Sequence, residues 1–340
     1  MNKNNKGLME RLAAGTVLGD GGYLLELEKR GWVRAGPFTP EVVLEHPEAV
    51  RELHLEFRTA GAEVLQALTF YASREKLATV GLDGRLDELN RQAVRLAREV
   101  AGNDALVAGN LALTWLYDMK DPKSHDAVRA QFDEQLAGQV GEGVDFMIGE
   151  TFSFLGEALL ATERAKKSGL PVMITMCFEN EDVTPEGYTP ADCAKRLVDA
   201  GADVVGINCL RNPEHTLPLM KQMRAAVSTP LACQPVGYRT APGKPDFTSQ
   251  PEFPTQLDPL QLSRAEMAQF AVDAREMGIE YIGGCCGVVA THIREMARRL
   301  GKLAEDQRPW RVNYDRPTSA TEYYGHRIEE KGQAKGSKGA

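Results

Sequence analysis

Three cysteines carry the sharpest chemistry in this sequence. Cys209 closes the run Asp203-Val-Val-Gly-Ile-Asn-Cys, and Cys285 and Cys286 sit inside Tyr281-Ile-Gly-Gly-Cys-Cys-Gly287. Each run is short, apolar and β-branched before it ends in Asn, Gly or Cys. That is the pattern of a buried strand delivering its last residues to a surface. Two such strands side by side bring three thiols to one point. Three thiolates are a soft donor set for Zn²⁺ and leave the fourth tetrahedral position open for a substrate. Gly283, Gly284 and Gly287 flank the pair and are read as allowing close backbone approach to something bound. Two other readings compete. The thiols could simply pack in a core, or Cys285 and Cys286 could act as a zinc-holding or redox-sensing pair. A disulfide between adjacent cysteines is strained and closes too small a loop to add much stability.

The elements that would position these residues alternate along the chain. Strand-like runs fall at 16–20, 63–70, 105–110, 144–150, 171–177, 203–208, 230–234 and 281–285. Amphipathic helical stretches fall at 47–60, 86–101, 125–139, 156–168, 190–200, 214–227, 264–277 and 291–303. In 47–60, Val50, Leu53, Leu55 and Phe57 mark one apolar face. Eight β–α alternations predict an α/β fold, a (β/α)₈ barrel. An open doubly wound sheet is the alternative, but its Gly-rich phosphate turn is missing after the first strand. The Pro- and Gly-rich segment 237–260 follows the seventh strand and reads as a long loop on the catalytic face. The barrel is assigned to 7–304, a C-terminal arm with Trp310, Tyr314, Tyr323 and Tyr324 to 305–330 as an oligomer contact, and a disordered tail to 331–340.

In such a barrel the C-terminal strand ends line one mouth. Here they supply Asp20, Phe70 with Tyr71, Asn110, Glu150, Cys177, Asn208 with Cys209, Gln234, and Cys285 with Cys286. With no lysine among them, Schiff-base chemistry lacks its nucleophile. With no histidine, a His-based metallohydrolase is disfavoured, and most of the six histidines fall in predicted helices or loops where surface roles are the default. Asp20, in Gly19-Asp-Gly-Gly-Tyr23, reads either as a turn residue or as an anchor for a substrate ammonium beside backbone N–H groups. Glu150 closes an apolar run, where an ionised carboxylate needs a partner, a structural ion pair or a ligand.

Composition narrows the partners. The 340-residue chain carries a net charge of −8, which disfavours nucleic acid and anionic membranes. No apolar run approaches the ~20 residues of a membrane span, and the N-terminal residues contain no apolar h-region. Six cysteines in a chain this long do not make a secreted disulfide scaffold, so a reducing cytoplasm is the expected compartment.

Several motifs together resemble betaine–homocysteine S-methyltransferases. They are Gly19-Asp-Gly-Gly, Arg34-Ala-Gly-Pro-Phe-Thr-Pro-Glu41, His46-Pro-Glu-Ala-Val50, Thr69-Phe-Tyr-Ala-Ser73, Gly206-Ile-Asn-Cys209, Pro251-Glu-Phe-Pro254 and Tyr281-Ile-Gly-Gly-Cys-Cys-Gly287. The likeness spans about Gly7 to Leu303. It implies a zinc-centred barrel in which Cys209, Cys285 and Cys286 hold Zn²⁺, and methyl transfer from glycine betaine to homocysteine, forming methionine. It further implies that Asp20 and Glu150 hold the homocysteine amino group, with Gly21 and Gly22 near its carboxylate. Tyr71 would face the methyl donor beside Thr39 and Phe70, and Asn208 joins the substrate-binding set. The animal enzymes carry Trp where this chain has Phe38 and Tyr where it has Thr151, so two hydrogen-bonding groups near the donor are replaced. A sulfonium donor, either a dimethylsulfonio acid or S-methylmethionine, is the alternative. Phe38, Phe70 and Tyr71 are the candidates for an aromatic cage around the donor cation. A homo-oligomer is expected.

Overall fold

The alternation predicted from periodicity is present in the computed structural model, which describes residues 7–303 apart from Ala35 and Pro37. The strands are β1 (Val17–Leu18), β2 (Val64–Gln66), β3 (Leu106–Ala112), β4 (Phe146–Phe152), β5 (Val172–Met176), β6 (Val204–Asn208), β7 (Leu231–Gln234) and β8 (Tyr281–Ile282). They form one parallel eight-stranded sheet in the order β1-β8-β7-β6-β5-β4-β3-β2, a (β/α)₈ barrel. The helices are α1 (Leu8–Ala14), α2 (Leu24–Lys29), α3 (Val42–Glu45), α4 (Pro47–Ala60), α5 (Arg74–Ala78), α6 (Leu86–Ala101), α7 (Ser124–Gly141), α8 (Leu155–Lys166), α9 (Pro190–Asp199), α10 (Pro213–Ala226), α11 (Arg264–Glu276) and α12 (Ala290–Arg299). One compact unit runs through Lys302. The arm assigned to 305–330 and the tail 331–340 lie outside the described residues.

The outer helices start where local chemistry says they should. The Ser263 hydroxyl accepts the Glu266 N–H at the start of α11, and Thr189 accepts that of Asp192 at α9. Pro47 opens α4, and Gly61, at φ 107°, ends it. On α4, Val50, Leu53 and Phe57 are buried at helical spacing, but Leu55 points outward and is exposed. At the far end from the cysteines, Leu8 and Leu12 of α1 pack on a cluster of strand residues that includes Val17, Phe146, Met173 and Tyr281.

The circle closes unusually between β1 and β2. One backbone bond crosses the seam, from the Glu63 N–H to the Leu18 carbonyl at 2.8 Å. Side chains complete it: a Glu63 carboxylate oxygen accepts the Leu18 N–H at 2.8 Å, and an Asp20 oxygen accepts the Gln66 N–H at 2.7 Å. Asp20 is therefore part of the barrel's closure as well as a candidate ligand.

Some expected strands end elsewhere. The second stops at Gln66, and Phe70 and Tyr71 lie in the turn that follows, where Tyr71 adopts φ 57°. The fourth continues through Phe152, so Glu150 lies within it. Its register against β5 shifts between Gly149 and Phe152, and Thr151 sits there at φ 62°. Such a bulge re-aims side chains at a barrel rim.

Candidate active site and thiol cluster

Cys209 follows the last residue of β6, and both Cys209 (φ 58°) and Leu210 (φ 54°) are left-handed. The loop after β8 carries the other two thiols. Backbone bonds pin all of these segments: Cys209 N–H to Gln234 O at 2.9 Å, Cys285 N–H to Pro235 O at 2.9 Å, and Gly237 N–H to Cys286 O at 2.8 Å. The three ligand atoms lie within 4.8 Å of one another, and the Cys209 and Cys286 sulfurs are 3.8 Å apart. All three thiols are free, the adjacent pair included. Zn–S bonds of about 2.3 Å at tetrahedral angles place sulfurs about 3.8 Å apart, so the donor set suits that ion in number, softness and spacing. The Cys285 thiol is held well above its ordinary pKa by hydrogen bonding with Cys209 and by burial. A cation that replaces the protons would remove that penalty.

The glycines around the pair fit the protein itself rather than a ligand. A Cβ on Gly22 would lie 2.7 Å from the Cys285 carbonyl oxygen and 3.0 Å from the Cys286 Cα. Gly284 packs on Val288, and Gly287 (φ +77°) packs on the Tyr238 ring. The Gly22 N–H is donated to the Val288 carbonyl at 2.9 Å, so that group is already committed.

Asp20 and Glu150 are both buried, and Gln66 joins them. Its backbone N–H meets Asp20 and its side-chain amide donates to Glu150 at 2.7 Å. Asn110 donates to the same Glu150 oxygen at 2.5 Å, and Asn208 to the other at 3.1 Å. Burial pushes Asp20 up to about 6 and Glu150 up to about 7, with the Asp20 charge adding to the latter. Among the described residues no cationic side chain pairs with either carboxylate. The structural ion pair that could have accounted for Glu150 is therefore absent, and two buried carboxylates without a cation are the arrangement expected of a site for a cationic ligand.

Asn208 ties this pair to the thiols. Its oxygen accepts from the Thr151 N–H and the Thr175 hydroxyl, both at 2.7 Å, and its amide lies 3.9 Å from the Cys285 sulfur. Behind Asp20, Tyr23 donates its proton to the carboxylate at 2.5 Å, and the His54 Nδ1 is 2.9 Å from the phenol oxygen. The one phenol proton is committed to Asp20, so His54 must donate through Nδ1. Burial pulls its pKa down to about 3, which keeps the ring neutral. His54 and His292 are buried, against the surface default for helical histidines.

The aromatic residues fall into two groups of ring contacts. Phe70 lies 4.3 Å from Tyr71, and Tyr71 lies 6.2 Å from Trp115, centroid to centroid. Phe38, at φ 57°, stacks on Phe253 of the long loop at 6.2 Å. It packs against a buried cluster that contains Cys209, Tyr238 and Phe247, as do Cys285 and Cys286. Thr39, beside it, is buried with its hydroxyl unpartnered. Gln66, Tyr23, Trp115 and Phe253 escaped the sequence reading. None of them ends an expected strand, which was the signal used to find the others. Cys177 follows β5 but bonds Ser153, 3.2 Å away, and stands outside the trio.

Comparison with known proteins gives the family. The homocysteine S-methyltransferase family model matches residues 17–300. A betaine–homocysteine S-methyltransferase 1 from Bos taurus is 44% identical over 313 residues, 87% of this chain and 75% of that one. An S-methylmethionine–homocysteine S-methyltransferase from Pongo abelii is 43% identical over 307 residues, 87% of this chain and 81% of that one. In fold, the chain is similar to the homocysteine methyltransferase MmuM from Escherichia coli in its oxidized form. That likeness has a TM-score of 0.70 at 21% identity, over 88% of this chain and 100% of that one. The chain belongs to the homocysteine S-methyltransferase family. No helix among the described residues is long and apolar enough to cross a membrane.

Proposed function

We propose that this protein transfers a methyl group from a small carboxylated onium compound, glycine betaine first, to homocysteine, forming methionine, with Zn²⁺ held by Cys209, Cys285 and Cys286. The observation that carries the reading is three converging thiols beside two buried carboxylates that lack a cation. Zn²⁺ held by the three thiolates would supply a Lewis acid that favours the deprotonated form of a substrate thiol, which with a free pKa near 8.5 is mostly protonated at neutral pH. Asp20 and Glu150 take the amino group of homocysteine, and Gln66 and Asn208 hold the Glu150 carboxylate toward it. The homocysteine sulfur attacks the donor methyl carbon. The carbon–nitrogen bond breaks, its electron pair leaves with the amine, and the donor's positive charge disappears. The ring faces of Phe70, Tyr71 and Phe38 suit the cation that is consumed.

Sulfonium donors are the second reading. The betaine and S-methylmethionine relatives are almost equally similar to this chain, so identity does not choose between them. Phe38 and Thr151 lack the indole and phenol implied by the betaine resemblance. Methionine formation from homocysteine and a panel of betaine, dimethylsulfonio acids and S-methylmethionine tests both, by kcat/KM. A tenfold preference for S-methylmethionine overturns the betaine reading. We further propose that the protein works in a reducing cytoplasm, which keeps the thiols available, and as at least a dimer through residues 305–330. A monomer in light scattering at micromolar concentration refutes the latter.

A further inference from the structure

Lys76 has no place in the chemistry so far. It sits on α5, just after the Phe70–Tyr71 corner, and its ammonium stands 4.3 Å from the Tyr71 ring centroid and 4.9 Å from that of Trp115. Among the described residues no carboxylate pairs with it. Its neighbour Arg74 is engaged by Glu134 at 2.9 Å. Burial holds the Lys76 pKa below the ordinary lysine value, with no nearby charge to offset it. A lysine that gives up water for two ring faces and finds no anion is unusual, because the flexible stem ordinarily lets the ammonium reach solvent. Trp115, the outer ring, is 65% exposed, so this pair opens toward the mouth. Tyr71, the inner ring, is buried and follows the C-terminal end of β2, on the face of the barrel where β6 and β8 deliver the thiols.

We propose that Lys76 binds the carboxylate of the methyl donor and so selects zwitterionic onium acids over simple onium cations. The inference rests on the donor reading above and deepens it. A donor cation approaching Tyr71 meets a ring already facing a fixed ammonium, and like charges there repel. A carboxylate placed between the two cations converts that repulsion into attraction on both sides. It also orients the donor, with its anionic end at Lys76 and its methyl groups toward the sulfurs. This supplies the charge partner that Phe38 and Thr151 do not.

The test is Lys76→Met, which keeps an apolar stem on the rings and removes the charge, with Lys76→Arg beside it. Donors are compared at saturating homocysteine: glycine betaine, a dimethylsulfonio acid, and trimethylsulfonium, which has no carboxylate. For Lys76→Met we expect the KM of the two acids to rise tenfold or more. The homocysteine KM should stay within about twofold, the kcat/KM for trimethylsulfonium should hold or rise as the like-charge repulsion is lifted, and Lys76→Arg should recover part of the loss. Calorimetric binding of homocysteine to the variant reports whether the rest of the site is intact. An unchanged KM for the acids overturns the role of Lys76 while leaving the donor reading standing. Equal losses for acids and trimethylsulfonium, or lost homocysteine binding, mark a structural lysine and also overturn it. If the unaltered enzyme uses none of the onium acids, the donor reading itself fails and takes this inference with it.

Discussion

Replacing Asp20 by Asn should make the metal-free protein more stable at pH 8 and a poorer binder of homocysteine. The single oxygen Oδ2 accepts both the Tyr23 hydroxyl and the Gln66 N–H. An amide oxygen in that position keeps both bonds, so the β1–β2 seam stays closed. What disappears is the charge. The folded-state pKa of Asp20 is raised from 3.8 to about 6, chiefly by burial. The native state therefore holds its proton more tightly than the unfolded chain does, and stability falls as pH rises from about 4 through about 6. Above that window the penalty is about 3 kcal/mol, from two pKa units at about 1.4 kcal/mol each. The variant escapes it, so its stability relative to the parent should be near zero at the acid end and grow toward pH 8. Homocysteine binding should move the other way. A charge-assisted hydrogen bond to the ammonium is worth about 1.5–3 kcal/mol, so affinity should fall roughly 10- to 100-fold. Denaturant unfolding of both chelator-treated proteins between pH 5 and 8 measures the first quantity, and steady-state homocysteine KM of the metal-loaded enzymes tracks the second. A variant that is less stable than the parent at pH 8, with an unchanged homocysteine KM, would refute the assignment of Asp20.

Cys285→Ser replaces a soft ligand by a hard one. Bound zinc by metal analysis should drop well below one per chain and activity should vanish, while circular dichroism stays that of the folded barrel; full zinc with normal activity excludes the site. Gly22→Ala places a methyl 2.7 Å from the Cys285 carbonyl oxygen. The vicinal cysteines must shift, and zinc affinity measured against a competing chelator should fall at least about tenfold, as geometry-dependent ligation requires. Ser263→Ala removes the α11 cap, whose hydroxyl bonds Glu266 rather than any thiol or site carboxylate. It should cost about 1 kcal/mol in unfolding free energy and leave kcat unchanged; a loss of activity without a loss of stability would contradict that reading.

Helices were the most legible part of the sequence. The stretches 47–60 and 86–101 match their observed bounds because apolar residues recur at helical spacing and Pro47, Gly61 and Gly102 punctuate them. Strand positions were legible, but some ends were not. Thr69 and Phe70 extend the apolar run of β2, and nothing local announces that Tyr71 turns left-handed. At the site, the thiols, Asp20 and Glu150 stood out because ionisable and metal-binding residues are conspicuous at the ends of apolar strands. The aromatic contacts did not, because their grouping depends on where the 237–260 loop folds back. That loop brings Phe253 to Phe38, which lies more than 200 residues earlier in the chain. Gln66 reads as an ordinary half-buried strand residue, and only the seam between β1 and β2 gives its backbone and side chain separate jobs.

The left-handed residues around the mouth set terms for anyone who wants a hardier version of this enzyme. Phe38, Tyr71, Trp115, Thr151, Cys209 and Leu210 all hold positive φ, a conformation that costs a non-glycine residue of order 1 kcal/mol or more. An algorithm or a library screen searching for thermal gains would be drawn to glycine at these sites. Five of them are a proposed metal ligand, two proposed donor-facing rings, the indole beside one of these and the residue that positions Asn208. Heat-selected variants would therefore collect where the chemistry is, and the durable protein would be the inert one. Useful stabilisation has to be sought on the exposed faces of the outer helices, such as the face of α4 that carries Leu55.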